Sequence, residues 1–218
     1  MIDFKKAADV AKIARDAGRQ GLMDAMDARR RDSPYEGTEA WLKIAIAQAL
    51  LRETRMARRP IRVFDELDAN QITNITDIRV GRGKKQRRPV DISLLHPLMD
   101  EDGKPDWWDL AALGLIEVKK DYSKVGGDAE WLGKVKNRAN FKQSLAWVMV
   151  TVLVNGKTED DVRENERGVW DVVQKHGFDR LSDCAPQEPP WRPDWHSNGQ
   201  PDPVEDRWFD LVCYGKEI

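Results

Sequence analysis

The chain is 218 residues long, with 36 basic against 38 acidic side chains and a net charge of −2. Bulk charge therefore argues neither for nor against a nucleic-acid partner; a local patch has to decide. A hydrophobic share of 40% allows a packed core, and the two cysteines, Cys184 and Cys213, lack the CxxC spacing of a zinc ribbon and suit a reducing cytoplasm.

The opening segment MIDFKKAADVAKIARDAG is charged throughout, unlike a secretory leader. No apolar run approaches the roughly 18 residues of a membrane helix. A cytoplasmic protein without a membrane partner is the expectation. A helix is predicted over 3–18, capped by Asp3, with Phe4, Ala7, Ala11 and Ala14 at helical spacing and Gly18 as its stop. RQGLMDAMDARRR offers a continuation after a break. A stronger helix follows Thr38, its apolar stripe formed by Trp41, Leu42, Ala45, Ile46, Ala49 and Leu50, with Pro60 beyond its end.

The pattern then changes. IRVF (61–64) and ITDIRV (75–80) read as short strands, or as one strand and a lead-in, and RPVDISLLH (88–96) as a strand. PLMDEDGKPDWWD (97–109) reads as a loop broken by Gly103 and Pro105. GLIEVKK (114–120) is the next strand, GGDAEWLGKVKNRANFKQ (126–143) a helix, and LAWVMVTVLVNG (145–156) a buried strand. TEDDVRENERGVWDVVQKHG is a helix capped by Thr158 with acids in its first turn. A proline-rich tail containing Trp191 and Trp195 leads to a last strand, RWFDLVCYG. This order indicates an α/β or α+β domain with a mixed sheet.

Alternate residues of a strand share a face. Glu117 and Lys119 then point one way and Ile116 and Val118 the other. Asp91 likewise leaves the face used by Val90, Ile92 and Leu94. If the two strands pair, Asp91, Glu117 and Lys119 form one patch. Two carboxylates and a backbone carbonyl are hard oxygen ligands suited to Mg²⁺. Such an ion polarises a phosphate oxygen and acidifies water, and a lysine beside it orients or deprotonates that water or stabilises transition-state charge. The competing reading is a strand with one solvated face and an incidental Glu/Lys pair.

At these residues the sequence resembles the PD-(D/E)xK nuclease superfamily: Asp91 stands for the first acid and Glu117-Val118-Lys119 for the Glu-x-Lys. The motif's proline is displaced, with Val90 between Pro89 and Asp91. The resemblance implies a restriction-endonuclease-like αβββαβ core over residues 36–156, with a mixed central sheet flanked by helices. It leaves an N-terminal helical arm (1–35) and a C-terminal helix and strand extension (157–218) packed on that core. It also implies that Asp91, Glu117 and the Val118 carbonyl bind Mg²⁺ or Mn²⁺, that Lys119 serves the chemistry, and that an acid of the first core helix joins the metal. Glu39 is the candidate for that acid and Glu36 its rival. A glutamine motif of one branch is echoed in part by Gln143 and Trp147.

The run RVGRGKKQRR (79–88) holds Arg79, Arg82, Lys84, Lys85, Arg87 and Arg88 without an acid, and leads straight into the Asp91 strand. It reads as a basic hairpin tip able to grip DNA phosphates beside the metal, or as a solvated turn. His96, His176 and His196 read as structural, and Trp107 and Trp108 as buried rather than stacked on bases. The expectation is a Mg²⁺-dependent DNA endonuclease. Its targeting is left to the ends of this chain, to a homodimer or to a partner protein, since no fused recognition domain is evident. The alternative is a non-catalytic subunit that keeps the fold and binds nucleic acid or protein.

Overall fold

The structure, a computed structural model, describes residues 2–28, 38–58, 60–68, 72, 74–75, 89–99, 102, 104–120, 122–138, 144–188 and 208–218. Among them are four helices, α1 (Ala7–Ala28), α2 (Thr38–Met56), α3 (Val125–Leu132) and α4 (Glu159–Val173). Six strands accompany them: β1 (Arg62–Asp68), β2 (Pro89–Met99), β3 (Pro105–Lys119), β4 (Trp147–Gly156), β5 (Asp179–Arg180) and β6 (Trp208–Glu217). The strands form one sheet in the order β1-β2-β3-β4-β6-β5. The β3–β4 pair is parallel and every other neighbouring pair antiparallel, so the fold is α+β with a mixed sheet.

Both faces of the sheet are covered. On one, Ile92, Leu94, Ile116, Val118, Met149 and Leu211 pack under apolar residues of α1 and α2. On the other, Leu115, Val148, Val150, Val152 and Val212 pack under α3 and α4. The central strand β4 is therefore apolar on both sides, and its first eight residues, Trp147–Val154, are all buried. A strand buried on both faces reads as a continuous apolar run rather than an alternation. Each such side chain removed from water contributes about 1.5–3 kcal/mol.

The last helix and the strands β4 and β6 form where the sequence places them. At the head of α4, Asp161 N–H donates to Thr158 Oγ1 (3.1 Å) and Thr158 N–H donates to Asp161 Oδ2 (2.8 Å), a reciprocal cap.

Other expectations are corrected. The first helix begins at Ala7, not at Asp3, and passes Gly18 without a stop. Gly18 and Gly21 serve close packing instead. A Cβ at Gly18 would lie 2.2 Å from Leu211 Cδ2, and one at Gly21 2.4 Å from Ala45 Cβ. The helical cost of glycine, about 1 kcal/mol, is accepted where α1 crosses β6 and α2. Trp41 is not part of the buried stripe of α2 but 41% exposed. The loop expected over 97–109 is much shorter, because β2 runs to Met99 and β3 starts at Pro105. Register shifts interrupt that hairpin at Leu94/Leu95 and at Pro97/Leu98, the latter beside a proline.

The helix expected over 126–143 ends at Leu132. Gly133 caps its end and lets the chain pass close to His176, since a Cβ there would lie 2.8 Å from the His176 carbonyl oxygen. Asn137 then clasps Leu145, donating to its carbonyl (3.1 Å) and accepting from its N–H (2.6 Å). Of the strand expected over 75–80, Ile75 makes a single bridge to Asn137. Residues 76–80, the basic run 79–88, Glu36, Gln143, Trp191, Trp195 and His196 lie outside the described residues. So do the side chains of Trp107 and Trp108.

The arm is fastened to the sheet by a buried charge. Asp210, fully buried in β6, accepts from Arg15 (2.9 Å), from Arg19 Nε (2.8 Å), and from the N–H groups of Ala185 and Leu211 (both 2.6 Å). The Trp147 indole N–H donates to the Phe4 carbonyl (2.9 Å), a second tie between β4 and the chain's start. No described helix is long and apolar enough to cross a membrane.

Candidate active site

The antiparallel β2–β3 pair sets Ile92 opposite Ile116. The next residues outward are Asp91 and Glu117, so the hairpin brings the two acids together at the end of β3. The alternation expected from the sequence holds in β3 and from Ile92 on in β2, but Val90 packs on the other face of the sheet from Ile92 and Leu94. Ile116 and Val118 join the core under α1 and α2, while Glu117 turns to the other side. Asp91 and Glu117 are both buried, at 7% and 3% exposure.

Asp91 is held rigidly. Its Oδ2 accepts a hydrogen bond from the Val118 backbone N–H at 2.8 Å. Lys119 Nζ lies 3.8 Å from Asp91 Oδ2 and 3.5 Å from Glu117 Oε2. It also lies 3.4 Å from Asp128 Oδ2, in the first turn of α3. The three residues expected to converge therefore do so, and a further acid joins them.

The helix α2 supplies the rim. Glu39, in its first turn, lies with Oε2 3.5 Å from the Lys120 N–H, at the limit of a hydrogen bond. Lys43, one turn on, sits with Nζ 2.7 Å from Asp91 Oδ1, 3.7 Å from Glu39 Oε1 and 3.4 Å from Glu66 Oε1. Lys43, Glu66 and Asp128 were not expected as site residues. Lys43 had a signal, because it is four residues beyond Glu39 and so shares its helix face. Asp128 had none beyond its place at a helix start, and Glu66 none at all.

The electrostatics follow from burial and crowding of acids. Burial, then the nearby Asp91 and Asp128, push the Glu117 carboxyl up to about 9, against a smaller opposing pull from Lys119. The neutral form of Glu117 is therefore favoured well above the ordinary carboxyl range. Burial lowers the Lys119 ammonium's affinity for its proton, but Glu117, Asp128, Asp91 and Glu39 outweigh it, and its pKa ends above the ordinary lysine value. With Glu117 protonated, Asp128 and Asp91 remain beside that ammonium. Lys43 is raised in the same way, burial being outweighed chiefly by its hydrogen bond and attraction to Asp91. His96 feels burial and Lys5, which hold it below the usual histidine range.

A hard divalent cation suits this donor set. Asp91 and Glu117 offer two adjoining carboxylates, the hard oxygen donors such an ion prefers. Among the described residues no three His, Cys, Asp or Glu side chains form a ready-made metal group. Lys43 and Lys119 stand on the carboxylates instead.

No protein-family model matches the chain, and neither a curated protein nor a solved structure matches it significantly.

Proposed function

We propose that this chain is a divalent-metal-dependent endonuclease of the PD-(D/E)xK type, with a restriction-endonuclease-like core, that hydrolyses DNA phosphodiester bonds. The observation that carries the reading is the meeting of Asp91, Glu117 and Lys119 across the β2–β3 pair. The element order α2-β1-β2-β3-α3-β4, with three antiparallel strands and β4 parallel to β3, supports it. That order is the αβββαβ arrangement the motif implies.

Asp91, Glu117 and the Val118 carbonyl are the residues that would hold Mg²⁺ or Mn²⁺, with Glu39 at the rim. A bound ion supplies Lewis-acid polarisation of the scissile phosphate. Asp91, fixed by the Val118 N–H, sets the ligand position before substrate arrives. Lys119 keeps its proton on Nζ in this acidic setting, so its role is that of a cation. It offsets the negative charge that grows on the phosphoryl oxygens and orients the attacking water, rather than taking that water's proton. The basic run 79–88, immediately before β2, is the proposed grip on the DNA backbone.

One observation favours a second reading, a non-catalytic subunit that keeps this fold. Lys43 and Lys119 already place two positive charges on the acids without a metal. Plasmid nicking decides between them. The wild type should convert supercoiled DNA to open-circular and linear forms with Mg²⁺ or Mn²⁺, and Glu117→Gln should not. A wild type that binds DNA but cuts under neither ion overturns the nuclease reading.

A further inference from the structure

Lys43 is the feature of the site that the proposed chemistry leaves unused. Its ammonium makes the shortest ion pair of the cluster, 2.7 Å to Asp91 Oδ1, on the carboxylate that would bind the ion. A divalent cation and an ammonium on the same oxygen repel one another, so the two compete for it. Two further carboxylates lie within a short swing of the same ammonium, Glu66 Oε1 at 3.4 Å and Glu39 Oε1 at 3.7 Å. The lysine stem has four rotatable bonds, so the ammonium can exchange partners without moving α2.

Glu66 is unusual in its own right. It lies in β1 between Asp65, which pairs with Ile92, and Leu67, which pairs with Val90, and so stands beside Asp91 on the neighbouring strand. Its backbone is left-handed, with φ 51°. That conformation costs a non-glycine residue about 1–2 kcal/mol and is typical of functional positions. Its side chain is 68% exposed, yet it reaches Lys43.

We infer that Lys43 is the resident counter-ion of the metal site: it neutralises Asp91 in the ion-free protein and transfers to Glu66 when a divalent ion takes Asp91. The inference rests on the metal-site reading above. Lys43 is a positioning residue here, since it acts on the ligand and not on the reacting atoms. It supplies the Asp91 carboxylate with a counter-charge, and it makes ion binding a competition between two cations. Glu66 lowers the barrier to that exchange by receiving the ammonium.

Calorimetric titration of the full chain with Mn²⁺ and with Mg²⁺, beside thermal melting without metal, tests this. Lys43→Met should bind Mn²⁺ about tenfold more tightly than the wild type, while its metal-free melting temperature falls. Lys43→Arg, which restores the charge, should return toward wild-type affinity. Glu66→Gln, at an exposed side chain that poses no folding risk, should bind the ion several-fold more weakly. In the Lys43→Met background the same Glu66→Gln change should lose most of its effect. A lysine with a merely structural role would lower melting temperature and ion affinity together, and that result overturns the inference. An undiminished Glu66→Gln effect in the double variant overturns the transfer to Glu66. If the wild type binds ions and Lys43→Met binds no more tightly, the inference falls alone. If neither wild type nor variants bind either ion, the metal-site reading falls and takes the inference with it.

Discussion

The carboxylate of Asp91 accepts a hydrogen bond from the backbone N–H of Val118 at 2.8 Å, across the β2–β3 pair. The first acid of the cluster is thereby tied to the residue between the second acid and the lysine. Asp91→Ala removes the acceptor and leaves a buried N–H unpaired, at a cost of about 1–3 kcal/mol. It also strips Lys43 of its nearest partner. Asp91→Asn keeps an oxygen for Val118 and should be the milder change in urea denaturation. Both should lose divalent-ion binding. A stable Asp91→Asn with wild-type ion affinity would remove Asp91 from the metal site.

Glu117 gives the site a pH signature. Its carboxyl is pushed up from 4.5 to about 9 by burial and by Asp91 and Asp128. In the unfolded chain it ionises near the ordinary value, and in the fold only near the raised one. Between the two the unfolded state binds fewer protons, so the stability of the ion-free protein falls as pH rises through that window. The slope reaches up to about 1.4 kcal/mol per pH unit, with no further loss above the folded value. Glu117→Gln should flatten this slope, and Mg²⁺ should raise the melting temperature most at the alkaline end. Melting curves from pH 5 to 9, with and without metal, check both, since those limits lie about inside the window. An equal slope in Glu117→Gln would assign the dependence elsewhere.

Asp210 offers a test of the frame rather than the chemistry. It is fully buried with two arginines and two backbone N–H groups on it. Arg19→Ala should cost about 3 kcal/mol or more, because it leaves a buried carboxylate short of charge. Denaturant unfolding gives the value. A loss under about 0.5 kcal/mol, the scale of an exposed ion pair, would show that the Arg19 pair with Asp210 contributes little to holding α1.

What the sequence disclosed here was set by how far each signal reaches. The alternation in GLIEVKK and in ISLL is local, and with the strands paired Asp91, Glu117 and Lys119 meet, although Val90 falls on the other face from Ile92 and Leu94. The same holds for β4, whose unbroken apolar run follows from burial on both faces, and for the α4 cap at Thr158 and Asp161. Glycine was the weak point. Gly18 reads as a helix stop, but its reason is Leu211, nearly two hundred residues away in sequence, and no local pattern carries that contact. Lys43 and Asp128 were missed for a similar reason. Each sits on a helix whose face toward the site is decided by packing on the sheet. The exposure of Trp41 is the same limitation in reverse, since an apolar residue at helical spacing need not face the core.

The basic run 79–88 carries a separate expectation. If it grips phosphates, neutralising Lys84, Lys85 and Arg87 together should weaken DNA binding and reduce the slope of log K against log salt by roughly one per lost contact. Fluorescence anisotropy with a labelled duplex at several salt concentrations measures it. An unchanged slope would make the segment a solvated turn.

The most direct test of the central claim is the single-turnover DNA cleavage rate of Lys119→Ala, measured on a preparation whose Mg²⁺ affinity is known. Lys119 stands 3.5 Å from Glu117 and 3.8 Å from Asp91, and as a cation it is no ligand for a metal. Its removal should leave Mg²⁺ affinity unchanged or higher. Cleavage should fall about a hundredfold or more, the effect of losing one transition-state charge contact of about 3 kcal/mol. A Lys119→Ala protein that binds Mg²⁺ and cuts DNA as fast as the wild type would contradict the account.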